Sequence, residues 1–213
     1  SYAIFQSTGV SPRSGHPWLQ GSTFLGALRQ TSRLVPFEAN CCGAIQLSAE
    51  LIWRIDGWLE LSYGVLMQGS SGITDLVVPD GLMDGHQSSG QRKNDLWTTT
   101  CCEAFLAFPD QPGYTEINLS TNGDWAVYHF EEYRVGRTDQ ALVHPPEIRL
   151  RRCHHHLRLD ARLPISPWGS PWQCPDVGLT MVLEHKQLGM SHWALRHAEN
   201  EPDFHCPSTF LKI

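Results

Sequence analysis

Residues 101–134 read CCEAFLAFPDQPGYTEINLSTNGDWAVYHFEEYR. Three short apolar runs, 101–108, 114–120 and 125–134, are separated by two kinds of chain reversal. Pro109-Asp110-Gln111-Pro112-Gly113 combines two fixed φ angles with a glycine, the chemistry of a turn. Thr121-Asn122-Gly123-Asp124 carries the Asn-Gly pair of a tight hairpin. The apolar runs are too short for helices and are rich in aromatic and β-branched residues, so the stretch predicts three successive antiparallel strands. Alternation along the first strand puts Cys101 and Cys102 on opposite faces. Glu103 and Glu116 then stand out. A carboxyl in a central strand is kept only where something pairs with it.

The same grammar extends in both directions. Residues 44–55 (AIQLSAELIWRI) place Ile45, Leu47, Ala49, Leu51 and Trp53 on one period-2 face. Asp56-Gly57 is a hairpin signal leading into 58–69, where Leu59, Leu61 and Tyr63 alternate with Trp58, Glu60 and Ser62. Residues 74–79 suggest a further strand, and the polar, glycine- and serine-rich 82–94 a loop. Residues 147–164 suggest one long strand or two paired ones. Three prolines and a glycine in 165–176 exclude regular structure, and 178–197 forms a closing hairpin that turns near Gly189. Helical periodicity is almost absent, there is no internal repeat, and no linker divides the chain. The expectation is an all-β antiparallel β-sandwich with an immunoglobulin-like two-sheet architecture, in one domain spanning residues 1–213.

Composition agrees with that class. The 213 residues are 41% hydrophobic and 18% charged, with 18 Gly, 14 Pro and 8 Trp. A chain of this length buries roughly 70% of its unfolded surface and needs no disulfide framework. The formal net charge is −6, and the densest basic patch is 149-RLRR-152 inside an apparent strand. That distribution argues against nucleic acid as a partner, since such a surface needs clustered cations to displace counterions. No run of about 18 apolar residues occurs, so no spanning helix is expected. The first 15 residues lack the basic and long apolar segments of a secretory leader, so a soluble protein is expected and the cytoplasm is favoured. The oligomeric state is open at this level.

Seven cysteines are present: Cys41, Cys42, Cys101, Cys102, Cys153, Cys174 and Cys206. The count is odd, two pairs are adjacent, and no CxxC occurs. They read as reduced, small buried hydrophobes rather than a bridge set.

The stretch 95–134 resembles the DOMON-like domains related to family 9 carbohydrate-binding modules. The residues that carry the resemblance are Leu96, Trp97, Cys101, Glu103 and Phe105 on one strand, and Tyr114, Glu116 and Asn118 on its partner. The C-terminal block 179–211 is similar to the closing hairpin of a DOMON-like subgroup, through Trp193, Ala194, Leu195, His197, Pro202, Asp203, Phe204 and His205. Cys102 departs from the pattern, where an aromatic is common. The resemblance implies a β-sandwich whose relatives bind sugars or haem.

Each candidate residue has a functional and a structural reading. Glu103, Glu116 and Asn118 form a polar site for sugar hydroxyls or Ca²⁺, or else are buried and satisfied by Arg134, a tyrosine or a turn. A glycosidase built on the two carboxylates is a second alternative, and it needs a defined separation and a cleft. Trp97, Trp125 and Trp193 are either platforms for the apolar face of a sugar ring or core. Trp125, beside the Asn-Gly turn, and Trp193, in the closing hairpin, are the preferred platforms. His192, His197 and His205 either reach a shared pocket or hold turn backbone, and their spacing matches no zinc motif. Haem would draw axial ligands from Met67 or Met83 and from His192 or His197. A thiol in mid-strand at Cys101 or Cys102 is inert. The expected function is therefore non-enzymatic binding of a small ligand or glycan, most of all a carbohydrate, at Trp125, Trp193, Glu103, Glu116, Asn118, His197 and His205. A haem-binding module is the alternative. No cofactor is required, with haem or calcium the options.

Overall fold

The computed structural model describes residues 27–38, 43–88 and 90–212. Cys41 and Cys42, the N-terminal segment read for a leader, and the start of the single-domain span lie outside the described residues. The described residues form twelve antiparallel strands, in chain order β1 (Ala27–Pro36), β2 (Ile45–Arg54), β3 (Trp58–Met67), β4 (Gln87–Ser88), β5 (Cys101–Ala107), β6 (Tyr114–Ser120), β7 (Trp125–Phe130), β8 (Thr138–Asp139), β9 (Glu147–Arg152), β10 (His156–Pro164), β11 (Asp176–His185) and β12 (Gly189–Ala194). The only helical pieces among the described residues are three single turns of 3-10 helix, at Ile73–Asp75, Leu96–Thr98 and Pro207–Thr209. Among the described residues no helix is long and apolar enough to cross a membrane.

The strands hydrogen-bond in the order β4-β9-β10-β3-β2-β1-β12-β11-β5-β6-β7-β8. This is one continuous sheet rather than two separate ones, and β1 is the reason. Its residues Ala27–Leu34 pair with β2, while Val35 and Pro36 pair with Ala194 and Trp193 of β12. A strand that changes partners at a corner lets a sheet curl back on itself. The β4-to-β1 half then faces the β12-to-β8 half as the two layers of a sandwich. Leu47, Leu51 and Trp53 of β2, Leu59, Leu61 and Tyr63 of β3, and Leu157, Leu159 and Leu163 of β10 meet Cys102, Ala104 and Leu106 of β5, Ile117 and Leu119 of β6, and Leu179, Met181 and Leu183 of β11 in one core. The Tyr63 hydroxyl donates across the layers to the Glu103 carbonyl.

Turn chemistry fixes the meander that carries the site. Gly57 closes the β2–β3 hairpin at φ +92°, and Gly113 sits before β6 at φ +76°. A Cβ at Gly113 would lie 1.8 Å from the Phe130 carbonyl oxygen, so only glycine fits between β6 and the end of β7. Several predicted boundaries move. Residues 74–79 pair only through the Leu76–His185 bridge, because Pro79 and the 3-10 turn at Ile73–Asp75 leave no room for a ladder. The 82–94 loop contributes the two-residue strand β4. The strand predicted over 125–134 ends at Phe130, and the chain turns through Arg134 at φ +57°. Residues 147–164 are two paired strands, β9 and β10.

The outer face of the β12–β7 layer carries a second cluster. Phe105, Tyr114, Ala126, Tyr128, Phe130, Val182 and Ala194 pack beneath Phe204 and Phe210. Those last two belong to the segment 195–211 after β12, which returns over the sheet as a strap. The strap is tied by Val177 and Leu211, which exchange backbone hydrogen bonds, and by Arg196, which donates to the Phe210 carbonyl.

Candidate functional site

Register decides which side chains share the outer face. Thr180 pairs with Glu103, Glu103 with Asn118, and Asn118 with Ala126. One step along, Phe105 pairs with Glu116 and Glu116 with Tyr128. Paired residues in adjacent strands point to the same face. Glu103, Asn118 and Glu116 therefore form one polar cluster, ringed by Phe105 and Tyr128. The 131–137 turn and the strap stand over its edges and leave a cavity of about 460 Å³. Glu103 and Glu116 contribute to its lining, with walls from Tyr128, Phe130 and Phe204 and a rim from Trp97, Arg134 and Arg137.

The floor is buried and thinly satisfied. Glu103 is 3% exposed, and its carboxyl takes one long hydrogen bond, from Thr180 Oγ1 at 3.4 Å. Glu116 Oε1 accepts from Asn118 Nδ2 at 3.0 Å. Asn118 is 1% exposed, and its Oδ1 has no hydrogen-bond partner among the described residues. Burial, and then the neighbouring Glu116, push the Glu103 carboxyl well above the ordinary carboxylate range. Burial raises Glu116 as well, against the opposing pull of Asn118, Arg137 and Arg134. Burial favours the protonated form of both carboxyls.

The walls are set by a hydrogen-bonded chain. Arg134 N–H donates to the Tyr114 oxygen at 3.1 Å, and Tyr114 lies 2.7 Å from His205 Nδ1. With Nδ1 accepting from Tyr114, the ring hydrogen sits on Nε2, which is 3.8 Å from Glu116 Oε2. Burial and the Arg134 charge depress His205 to about 4. With the imidazole neutral, the contact is not an ion pair. The His205 ring packs among Phe105, Tyr114 and Phe130 at centroid distances of 4.9, 5.7 and 5.1 Å. Asp203 bonds the Arg134 guanidinium at 2.8 Å and the Tyr133 hydroxyl, joining the strap to the 131–137 turn beside the pocket.

The structure brings Glu103, Glu116, Asn118 and His205 together, as the sequence proposed. It separates Trp125, Trp193 and His197 from them. Trp193 is 2% exposed and Trp125 8% exposed, and both point into the core between the layers. The cause is phase: Ala126, not Trp125, is in register with Asn118, so Trp125 faces the other way. Trp193 is out of step with His192, which faces the pocket, in the same manner. The Trp125 ring instead carries the Arg92 guanidinium at 4.7 Å. His197 holds the Val35 carbonyl through Nε2 at 2.9 Å and lies edge-on to Phe37, outside the pocket.

Trp97, left aside in favour of the other two, is the indole that lines the cavity, 51% exposed on the 3-10 turn before β5. Tyr128, Phe130, Arg137 and Phe204 also line the cavity without having been singled out for it, and of the histidines offered for a shared pocket His192 and His205 reach it. Strand alternation from Ala126 carried the signal for Tyr128 and Phe130. The haem pairings do not converge: Met67 is in the interlayer core, Met83 is exposed on the 81–86 loop, His192 faces the pocket, and His197 lies at the β1 edge. Among the described residues, no three His, Cys, Asp or Glu side chains are grouped as a metal set.

No family model and no curated protein sequence matches the chain. Solved structures do. A proposed carbohydrate-binding protein from Bacteroides uniformis ATCC 8492 shares the fold, with a TM-score of 0.54 at 13% identity over 85% of this chain and 84% of that one. A family 9 carbohydrate-binding module from Caldicellulosiruptor kristjanssonii, solved with cellotriose, aligns with a TM-score of 0.44 at 13% identity over 85% and 80% of the two chains. The chain is thus similar in fold to a protein described as carbohydrate-binding.

Proposed function

We propose that the chain is a non-catalytic sugar-binding module of DOMON-like type, whose ligand occupies the pocket between the outer face of β5–β7, the 131–137 turn and the strap. The observation that carries this reading is the pairing of a polar floor with an aromatic rim. Sugar recognition needs both: a π-face for the apolar side of the ring, and fixed polar groups for its hydroxyls. Trp97 supplies the first. Glu103 and Glu116 supply the second, with Asn118 holding Glu116 from outside the lining. The fold shared with the Bacteroides uniformis protein supports the same reading.

The non-catalytic part rests on the two carboxyls. A glycosidase pair is held with one group ionised and one protonated by differing environments. Here burial pushes both carboxyls in the same direction.

Isothermal titration against a panel of mono- and oligosaccharides tests the proposal. At least one sugar should bind, and Trp97→Ala should weaken it about tenfold or more. A panel with no heat of binding and no shift in melting temperature removes the reading.

A further inference from the structure

The 131–137 turn sets two arginines on the rim of the pocket and holds them differently. Within the turn, Glu131 N–H donates to the Val135 carbonyl and Val135 N–H to the Glu132 carbonyl, each at 3.1 Å. The Arg134 guanidinium is committed, donating to Asp203 at 2.8 Å and to the Tyr133 hydroxyl at 3.2 Å. The Arg137 guanidinium instead lies 4.7 Å over the Tyr128 ring. That ring is itself fixed, because its hydroxyl donates to Asn94 Oδ1 at 2.7 Å. Among the described residues no hydrogen bond or ion pair engages the Arg137 side chain. The carboxylates around it go elsewhere: Asp139 pairs with Arg92 at 3.3 Å, and Asp203 with Arg134. Glu116, on the floor, feels the Arg137 charge through space but stands outside ion-pair distance. Stacking occupies the face of a guanidinium and leaves its in-plane N–H donors for an acceptor. Arg137 lines the cavity with those donors unspent.

We propose that this pocket prefers an acidic sugar, a hexuronate, over its neutral counterpart, the sugar carboxylate being bonded by the Arg137 guanidinium. The inference rests on the sugar-binding reading and narrows its ligand class. A carboxylate presents two oxygens that match the planar fork of a guanidinium. Trp97 takes the sugar ring, the floor carboxyls meet its hydroxyls, and the ligand charge stays at the rim. This division keeps like charges apart, since Glu103 and Glu116 are 3% and 6% exposed while Arg137 stands at the open mouth. The cavity, about 460 Å³, is of the size that small-ligand sites have.

Calorimetry on the full chain with glucuronate, its methyl ester and glucose, and with galacturonate, its methyl ester and galactose, decides the matter. At neutral pH and low ionic strength, one of the two uronates should bind about fivefold or more tightly than its neutral sugar. The methyl ester, nearly the same size but uncharged, should show no such gain. Added salt should shrink the preference, because the pair stands in solvent at the rim. Arg137→Gln should bring the ratio of uronate to neutral-sugar affinity close to one. Arg137→Lys, which keeps the charge and loses the planar fork, should retain part of the preference. Arg33→Gln, which removes a positive charge from β1 in the other layer, should leave the ratio unchanged. Equal affinity for each uronate and its ester, or a preference that survives Arg137→Gln, overturns this inference and leaves sugar binding intact. Failure of the acids, the neutral sugars and the wider panel overturns both. The comparison of acid with ester needs no variant, so a poorly folding Arg137→Gln would not blunt the test.

Discussion

The Tyr114 hydroxyl meets His205 Nδ1 at 2.7 Å, and this contact fastens the C-terminal strap to strand β6. With Tyr114 as donor the imidazole is neutral; a protonated ring would have to donate to the Tyr114 oxygen instead. His205 is held at about 4, below the ordinary 6.5, chiefly by burial. A group with a depressed folded pKa contributes stability that is complete above its unfolded pKa and is lost as pH falls through the folded one. For His205 the loss begins near 6.5 and continues to about 4, and is worth at most about 3 kcal/mol. Thermal denaturation at steps across this range should show wild type falling relative to His205→Asn. Parallel curves for the two proteins would mean that the strap does not depend on a neutral imidazole.

Trp97 and Trp193 should respond in opposite ways to truncation. Trp193 fills the core between the layers, so Trp193→Ala should cost about 3–5 kcal/mol in denaturant unfolding. Trp97 stands half in solvent on the pocket rim, so Trp97→Ala should shift stability by no more than about 0.5 kcal/mol while weakening the sugar. If Trp193→Ala folds normally and loses ligand selectively, the assignment of the two indoles is reversed.

Alternation made much of this legible from the sequence. Residues 101–120 and 44–63 declared their inner and outer faces, and the carboxyls at Glu103 and Glu116 announced the polar cluster because an apolar strand has no other use for them. What single strands cannot declare is register between them. The phase of β7 against β6 decides whether Trp125 or Ala126 joins Asn118, and a slip of one residue exchanges the faces. Turn geometry sets that phase, and Gly113 and Gly123 settle it only in three dimensions. The strap was legible as an aromatic, proline-bearing segment but not as a wall, since its docking on Phe105 and Tyr114 is a long-range contact. The corner at Val35 and Pro36, which merges the layers into one sheet, left no local mark.

Thiol chemistry offers an independent check on the buried strand. Cys101 and Cys102 are wholly buried in β5, and burial raises both thiols well above the usual range. Cys153 is exposed in the turn between β9 and β10. An alkylating reagent followed by peptide mass mapping should label Cys153 readily at neutral pH. Cys101 and Cys102 should resist until denaturant unfolds the chain. Labelling of either in the native protein at the rate of Cys153 would mean that β5 opens far more readily than a central strand should.

Glu103→Gln should separate stability from function. In the ligand-free protein the Glu103 carboxyl is raised above its ordinary range by burial and by Glu116. A raised folded pKa contributes stability that is complete below the unfolded value and is lost as pH rises toward the folded one. Above the ordinary carboxylate range, then, the wild-type floor works against folding. Glutamine keeps the shape, cannot ionise, and brings N–H donors toward Glu116 and the bare Asn118 Oδ1. The variant should melt a few degrees higher than wild type at pH 7, with the gap closing as pH falls toward about 4. The same substitution should weaken ligand binding, the trade expected where a site is kept strained for its ligand. A variant that melts lower at pH 7 would mean that the Glu103 carboxylate has a stabilising partner in the folded chain, and the pocket floor would then be structural.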